Sequence, residues 1–451
     1  MDAMQVIMGL LPMTILIILI LITRRMLESA IISLIIGYLL VSPKDILSNL
    51  SGGILSTIAG DTYSFIIAAV GIMGIFVRLL IKSGGTVGFG NWLGKLANSR
   101  RKSLFITFIL GLIVFIDEYL NSIVVTASMR SLTDKYKAPR VMLACTVNAA
   151  GVPACVFAPI SIWAIFYIGL FTDSGVLEGT DKSGMGMYIS TIPFMLYPGL
   201  FLLIIMLLGL DLFPKYGPMK TAYKRADELG DIFPASGCKG ELDEEVSEGH
   251  PAYFLIPLSV IIAITIKTSD LFIATFIAVV ILCIMMVAGK KMEIKEIGDE
   301  IVGGVKDMVF ILVLLLIMFT FTDVCSNMGL AEIVVKGVSS VISAPLLPAV
   351  MFMIISLLAW VMGSFWATAT ICMTIIIPLA TQMGVNIPLM LGVLVSGTVF
   401  PATCSFTTET VTMSSQSAQV EPTEMALANL PYAFTAWGLA VIIYVILGFV
   451  M

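Results

Sequence analysis

The chain has 451 residues, of which 59% are hydrophobic and only 12% are charged, and its formal net charge is −5. A soluble protein of this length needs a much larger charged surface, so this composition excludes a soluble globular protein. It indicates an all-α, polytopic membrane protein. The seven cysteines have no CxxC spacing and therefore do not indicate a metal site.

Apolar runs near the length of about 20 residues that crosses a bilayer core recur along the chain. We predict membrane-spanning segments near 4–22, 25–42, 62–82, 138–172, 189–211, 252–267, 270–288, 305–324, 387–415 and 429–450. Two further apolar stretches are interrupted by polar clusters at 117–122 and 363–370. We predict that these stretches, 103–132 and 347–382, are re-entrant hairpins, which enter and leave on one side of the membrane.

The two halves of the chain resemble each other. A shift of 248 positions aligns "LACTVNAAGVPAC" with "LGVLVSGTVFPAT", and Pro153 with Pro401. The same shift aligns "FIDEYLNSIVV" with "GSFWATATICM". We therefore predict an internal duplication joined by a polar cytoplasmic linker. The predicted parts are a first repeat at 1–211 with hairpin 103–132 and broken helix 138–172, a linker at 212–251, and a second repeat at 252–451 with hairpin 347–382 and broken helix 387–415.

Five crossings in each repeat would invert the second copy, which is the plan of many secondary transporters. With the N-terminus outside, only Lys44, Lys182, Lys267 and Lys336 of the 25 Lys and Arg residues would lie outside, in agreement with the positive-inside rule. If both hairpins were ordinary spans, the basic segments "NSRRKS" and "DKYKAPR" would lie on opposite faces. We expect a multi-pass protein of the plasma membrane with both termini outside.

The segment "FIDEYLNS" places Asp117 and Glu118 side by side in an apolar run. A charged side chain at the bilayer centre costs about 3 kcal/mol or more, so both are expected to line a protein-enclosed or watery cavity. Na⁺ takes oxygen ligands, which leads us to predict that Asp117, Asn121 and Ser122 bind it. Because two adjacent acids disfavour double ionisation, the pair can hold a proton when no cation is bound.

Competition between a proton and a cation for one site is sufficient for antiport. The single histidine, His250, lies in a polar loop, so any titrating group at membrane depth must be a carboxyl group. Glu409 is the third candidate. The structural alternatives are an ion pair of Asp117 with Arg78 or Arg130, and a helix-end hydrogen-bonding role for Glu409.

Three further segments contain polar residues within apolar runs: "NAAGVPACVFAPISIW", "MGSFWATATICMT" and "FPATCSFTTETVTMSS". Prolines inside a helix free backbone carbonyls, and Ser or Thr hydroxyls can coordinate a cation or donate to an anion. The predicted substrate-binding residues are Asn148, Pro153, Ser161, Ser364, Thr368, Thr370, Thr403, Ser405, Thr407 and Thr408. The alternative role of such Ser and Thr residues is helix packing.

The run "FIDEYLNS…MRSLTDKYKAPR", followed by the proline-broken span, resembles the NhaC-type Na⁺/H⁺ antiporter family of the ion transporter superfamily. The family pattern Ile-Asp-Asp-Tyr-Phe-Asn-Ser is matched at Asp117, Asn121 and Ser122, while Glu118 replaces one acid with another. The resemblance covers most of the chain. It implies a transport domain of two hairpins and two broken helices, a homodimer in the lipid bilayer, and Na⁺ and H⁺ as the transported ions.

Two departures from the family pattern make the predicted site less negative and richer in hydroxyl groups. Asn148 stands where the family usually has an Asp, and residues 401–409, "PATCSFTTE", replace Gly-Asp-His-Cys-Ser-Pro-Ile-Ser-Asp. Two functions therefore stay open. The chain is either an Na⁺/H⁺ antiporter of the NhaC type, or an Na⁺- or H⁺-coupled carrier or exchanger of a small organic anion or amino acid.

An enzyme is not expected, because the sequence contains no HExxH motif and no paired nucleophile and base. The expected partners are the lipid bilayer, a monovalent cation and a small organic solute. We expect no cofactor beyond the transported ions and no nucleic acid.

Overall fold

The structure is a computed structural model that describes residues 3–23, 26–178, 180–233, 249–268, 270–329, 333, 342–362, 365–405 and 408–451. Within these ranges the regular structure is entirely helical, so the predicted all-α fold is confirmed. Predicted substrate-binding residues Ser364 and Thr407 lie outside the described residues.

The first part of the chain forms five helices. They are α1 (Ala3–Thr23), α2 (Met26–Val41), α3 (Ile46–Ala59), α4 (Asp61–Ser83) and α5 (Gly85–Gly94). Helix α3 was not predicted, because its Ser, Asn and Gly residues have low helix propensity. Its Thr57 hydroxyl donates to Gly53 O (3.0 Å) and lies 3.0 Å from the Thr320 hydroxyl.

The next segment contains two interrupted helix pairs. The helices are α6 (Arg100–Ile113), α7 (Glu118–Lys135), α8 (Arg140–Phe157) and α9 (Ile162–Asp173). Helices α6 and α7 fold back on each other, since the Tyr136 hydroxyl donates to Ala97 O (3.0 Å) and Arg100 Nε donates to Tyr136 O (3.4 Å). In one continuous helix these partners would lie more than about 50 Å apart. The segment therefore begins and ends at the same end of the molecule.

Proline bends the next predicted span, 189–211. Helix α10 (Gly184–Thr191) continues into a 3₁₀ turn at Ile192–Phe194, and α11 (Leu196–Gly209) leaves it at an angle of 53°. Pro198 lacks the N–H that would bond to Phe194 O in a regular helix, and the Tyr444 hydroxyl donates to that oxygen instead (2.7 Å). The predicted linker begins with a further helix, α12 (Gly217–Glu228).

Among the described residues, eight helices follow the predicted linker. They are α13 (Ala252–Thr268), α14 (Leu271–Ala288), α15 (Ile294–Asn327), α16 (Leu347–Met362), α17 (Phe365–Met383), α18 (Ile387–Cys404), α19 (Glu409–Ser417) and α20 (Pro422–Val450). Helices α15 and α20 begin before residues 305 and 429, at which we predicted the corresponding spans to start. Their first turns carry charged residues, which a search for apolar runs leaves out.

Six helices or broken helices of the described chain are long and apolar enough to cross a membrane, or seven if the bent α10–α11 pair counts as one span. They are Tyr63–Ser83, Arg140–Asp173, Ile294–Cys325, Phe365–Met383, Ile387–Ser417 and Pro422–Val450. The predicted spans near 4–22, 25–42, 252–267 and 270–288 correspond to shorter apolar helices. Helix α17 is long and apolar enough to cross the membrane by itself, although we predicted it as one half of a re-entrant hairpin.

Helices α4 and α15 approach closely through glycine. A Cβ atom added at Gly74 would lie 2.5 Å from Gly304 O, and one added at Gly304 would lie 2.6 Å from the Cα of Ile75. Small residues allow membrane helices to pack backbone against backbone. This contact forms one wall of the cavity described below.

Candidate functional site

The first interruption, between α6 and α7, is held by two predicted site residues. Asp117 caps α7, and its Oδ1 accepts from Leu120 N (2.7 Å). Asn121 Nδ2 donates to Gly111 O (2.6 Å) and Val114 O (2.9 Å), near the end of α6. These bonds satisfy backbone groups that an interrupted helix leaves unpaired. The other amide atom, Asn121 Oδ1, is buried without a hydrogen-bond partner in the described part of the chain.

The second interruption separates α8 from α9. Pro159 has no N–H to donate to Cys155 O, and the Ser161 hydroxyl donates to that oxygen instead (2.5 Å). Ser161 also caps α9 by accepting from Ala164 N (3.1 Å). The predicted residue Pro153 is buried inside α8. The Ser161 hydroxyl therefore bonds a free carbonyl at the end of α8 and a free N–H at the start of α9.

The third interruption separates α18 from α19, where side chains donate to the carbonyls of the last turn of α18. Thr408 Oγ1 donates to Pro401 O (3.2 Å), and both Thr410 Oγ1 (2.7 Å) and Asn148 Nδ2 (3.1 Å) donate to Ala402 O. The Asn148 bond joins the first broken helix to the second. Asn148 Oδ1, like Asn121 Oδ1, is buried without a hydrogen-bond partner among the described residues.

These interruptions meet. Ile162 N at the start of α9 donates to Ile116 O in the first break (3.2 Å), and Trp163 Nε1 donates to Glu118 Oε2 (2.8 Å). The Trp163 ring stacks on Phe365, the first residue of α17, with 3.7 Å between ring centroids. Glu118, the first residue of α7, is thus bonded to the broken helix α8–α9 through Trp163.

Helices α7 and α19 are joined by two further polar contacts. The Tyr119 hydroxyl donates to Glu409 Oε2, and the Ser122 and Ser414 hydroxyls lie 2.9 Å apart in a buried position. Residues that are 290 or more positions apart in sequence therefore form one side of the site.

A cavity of about 1200 Å³, here called the vestibule, ends at this site. It lies between α4, the start of α7, α15 with its preceding turn, and α19. Its lining includes six carboxyl groups, those of Asp117, Glu296, Asp299, Glu300, Asp307 and Glu409. It includes three basic groups, those of Arg78, Lys82 and Lys291. The vestibule therefore carries an excess of three negative charges when all of these groups are ionised.

Asp117 and Glu118 have different surroundings. Asp117 lines the vestibule although only 2% of it is exposed, whereas Glu118 is 3% exposed and is not among the lining residues. The alternative ion pairs are absent among the described residues, since neither Arg78 nor Arg130 bridges to Asp117. Arg78 instead donates to Glu300 (2.5 Å) and Asp307 (2.8 Å).

The remaining predicted residues are buried but differ in their contacts. Thr370 Oγ1 donates to Trp366 O of its own helix (2.9 Å), and Thr403 Oγ1 lies 2.5 Å from the Tyr197 hydroxyl, away from the vestibule. Thr368 and Ser405 are also buried. For Thr370 and Thr403, these bonds match the helix-packing alternative.

The aromatic contacts of the site were not predicted from the sequence. Tyr119, Trp163 and Phe365 bind or stack at the interruptions, yet aromatic residues are unremarkable in an apolar run. The one available signal was position, because Tyr119 directly follows the acid pair and Trp163 lies two residues after Ser161.

Interrupted helices that meet around buried carboxyl groups are typical of secondary transporters, and the comparisons with known proteins agree with this class. The profile of the Na⁺/H⁺ antiporter family matches residues 154–449. The chain therefore belongs to the Na⁺/H⁺ antiporter family, as the resemblance implied, and is a multi-pass membrane transporter. The matched region begins within α8, so the interruption between α6 and α7 that contains Asp117 precedes it.

Individual relatives are distant. An uncharacterised protein of Haemophilus influenzae is 23% identical, with 97% of this chain and 90% of the relative aligned. The YdaH transporter of Alcanivorax borkumensis has a similar fold, with a TM-score of 0.63, 14% identity and 89% of each chain covered. MtrF of Neisseria gonorrhoeae also has a similar fold, with a TM-score of 0.54 and 12% identity. The superposition covers 90% of this chain and 85% of the MtrF chain.

Proposed function

We propose that this transporter exchanges Na⁺ for H⁺, with Asp117 as the group for which the two ions compete. The observation that carries the proposal is the position of Asp117, a buried carboxyl group at a helix break that lines the vestibule without a basic partner in the described chain. The unpaired Oδ1 of Asn121, four residues further on, is a suitable second ligand. Ser122 completes the proposed Na⁺ site, and Glu118 and Glu409 lie beside it.

The domain plan is part of the proposal. Residues 1–211 and 252–451 act as two inverted repeats, each with a re-entrant hairpin, joined by the cytoplasmic linker 212–251. The fold-back of α6 on α7 supports the first hairpin. The protein acts as a homodimer in the plasma membrane, with both termini outside.

A second candidate function is coupled transport of a small organic solute. The size of the vestibule, about 1200 Å³, favours it, since that volume exceeds the roughly 300–1,000 Å³ of typical small-molecule pockets and leaves room for an organic ligand. The predicted substrate-binding residues Asn148, Ser161 and Thr408 lie at the breaks but do not line the vestibule, so a solute bound there would reach them only by moving further into the protein.

Proteoliposomes that contain an internal pH dye separate the two functions. Addition of Na⁺, Li⁺ or K⁺ alone should change the internal pH if the protein is an antiporter. A pH response that requires a carboxylate or an amino acid in addition to the cation would show that the protein is a coupled solute carrier and not a simple antiporter. Liposomes without protein provide the baseline.

The proposed orientation predicts the labelling of two single-cysteine variants made without native exposed cysteines. Lys220→Cys in α12 should resist an impermeant thiol reagent on intact cells and react after permeabilisation, whereas Lys182→Cys should react on intact cells. Both lysines are exposed, so access alone decides the result. Labelling of Lys220→Cys on intact cells would reverse the proposed topology.

Asn148→Asp tests whether the first broken helix takes part in the Na⁺ site. The change removes the donor to Ala402 O and buries an unpaired carboxylate, so we expect a loss of about 2 kcal/mol of stability in Na⁺-free buffer. Added Na⁺ should raise the melting temperature of this variant more than that of the wild type. The measurement is thermal unfolding in detergent over a series of Na⁺ concentrations.

Asn429→Asp is the matched control. Asn429 also donates to a carbonyl of the third interruption, Thr403 O (2.9 Å), and its Oδ1 is likewise unpaired in the described chain, but it belongs to α20 and not to the broken helix α8–α9 that contains Asn148. It should lose similar stability without gaining Na⁺ dependence. An equal response of both variants to Na⁺ would remove Asn148 from the site.

A further inference from the structure

The lining of the vestibule combines negative charge with apolar surface. Beside its carboxyl groups it carries apolar side chains from all four walls, which are Val77, Ile81, Leu120, Ile123, Met292, Met308, Phe310 and Met413. An inorganic ion that enters with its water shell gains nothing from such surface. Methionine side chains, by contrast, adapt to ligands of different shapes and contact aromatic rings favourably.

The charges at the inner end of the vestibule restrict the chemistry of an organic ligand. Asp117 and Glu409 line the vestibule together with Tyr119, whose hydroxyl donates to Glu409. The basic group Arg78 is held by Glu300 and Asp307, and Lys82 Nζ lies 3.5 Å from Glu300. A carboxylate ligand would therefore meet carboxylates, while an ammonium group would find acceptors and a phenol ring face.

We propose that the vestibule binds an organic cation, namely a primary amine with an apolar or aromatic body. The ammonium group is bound by Asp117 and Glu409, and the body packs against Met292, Met308 and Met413. This inference rests on the proposed role of Asp117 and Glu409 as cation-binding groups. It narrows the solute of the second candidate function, because it excludes a purely anionic one.

Four probes test the proposal by calorimetry on the purified full-length protein in Na⁺-free buffer. Phenethylammonium, 2-phenylethanol and 3-phenylpropanoate share one body with a positive, neutral or negative head, and methylammonium has the charge without the body. Phenethylammonium should bind at least about tenfold more tightly than the other three, because only it makes both the charged and the apolar contacts. Equal binding of the alcohol, or equal binding of methylammonium, would overturn the proposal.

Glu409→Gln should weaken phenethylammonium binding about tenfold, since a neutral amide replaces the carboxylate. Glu228→Gln in α12, which is exposed and lies outside the vestibule, should leave binding unchanged. Met413→Ala tests the body independently of charge and should weaken phenethylammonium binding about threefold while leaving methylammonium unaffected. If neither Glu409→Gln nor Met413→Ala changes phenethylammonium binding, the ligand does not bind in the vestibule and the proposal is wrong.

The outcome is distinguishable from that of the proposed antiport. Intact Na⁺/H⁺ exchange in proteoliposomes without amine binding would remove only this inference. Amine binding without Na⁺/H⁺ exchange would remove only the antiport. Displacement of phenethylammonium by Na⁺ would show that the two ligands share Asp117.

Discussion

Asp117→Asn is expected to reduce Na⁺-coupled transport in proteoliposomes by about 100-fold or more, because two unit charges 4 Å apart attract by about 4 kcal/mol at an effective dielectric constant of 20. The amide keeps the shape and one oxygen ligand but loses both the charge and the exchangeable proton. Asparagine is as good a helix cap as aspartate, so the bond to Leu120 N and the fold should persist.

Asp270→Asn is the control for this prediction. Asp270 caps α14 as Asp117 caps α7, with Oδ1 accepting from Ile273 N (2.9 Å), but it does not line the vestibule. This variant should transport at the wild-type rate. If Asp117→Asn does so as well, Asp117 is only a helix cap and the ion site lies elsewhere.

Gly304→Ala is expected to destabilise the protein by about 3 kcal/mol, although alanine is normally the better helix former. The added methyl group would lie 2.6 Å from Ile75 Cα and 2.8 Å from Gly74 O, and these backbone atoms cannot rotate away. The helices α4 and α15 must separate, which opens the wall of the vestibule. Melting temperature and the monodisperse fraction in detergent measure the effect.

Gly298→Ala provides a control of opposite sign on the same helix. A Cβ atom at Gly298 meets no atom within 4 Å, so alanine there should stabilise α15 by up to about 1 kcal/mol. Equal melting temperatures for the two variants would show that the glycine contact between α4 and α15 does not form.

The sequence predicted the helical fold and the neighbourhood of Asp117 from two strong signals. Acidic side chains are costly in an apolar run, so Asp117 and Glu118 had to occupy a special environment. Prolines remove helix hydrogen bonds, which led to the breaks near Pro159 and Pro401. Both signals are local in sequence, because each follows from one residue in an apolar segment.

The contacts that assemble the site could not be predicted in this way. The Tyr119–Glu409 and Trp163–Phe365 pairs join distant parts of the chain, and a single sequence contains no record of such pairing. The wall of the vestibule was missed for a different reason. The sequence indicates Arg78 only as an alternative partner of Asp117 and predicts no role for Glu300 or Asp307, because only the packing of α4 on α15 brings the three together.

The contacts among the interruptions restrict how an ion could cross the membrane. Asn148 bonds one broken helix to the other, and Tyr119 of α7 bonds to Glu409 of α19. Trp163 of α9 bonds to Glu118 of α7 and stacks on Phe365 of α17. No single interruption can change its neighbours without breaking a buried bond. A change of access to Asp117 would therefore have to move the joined segments together.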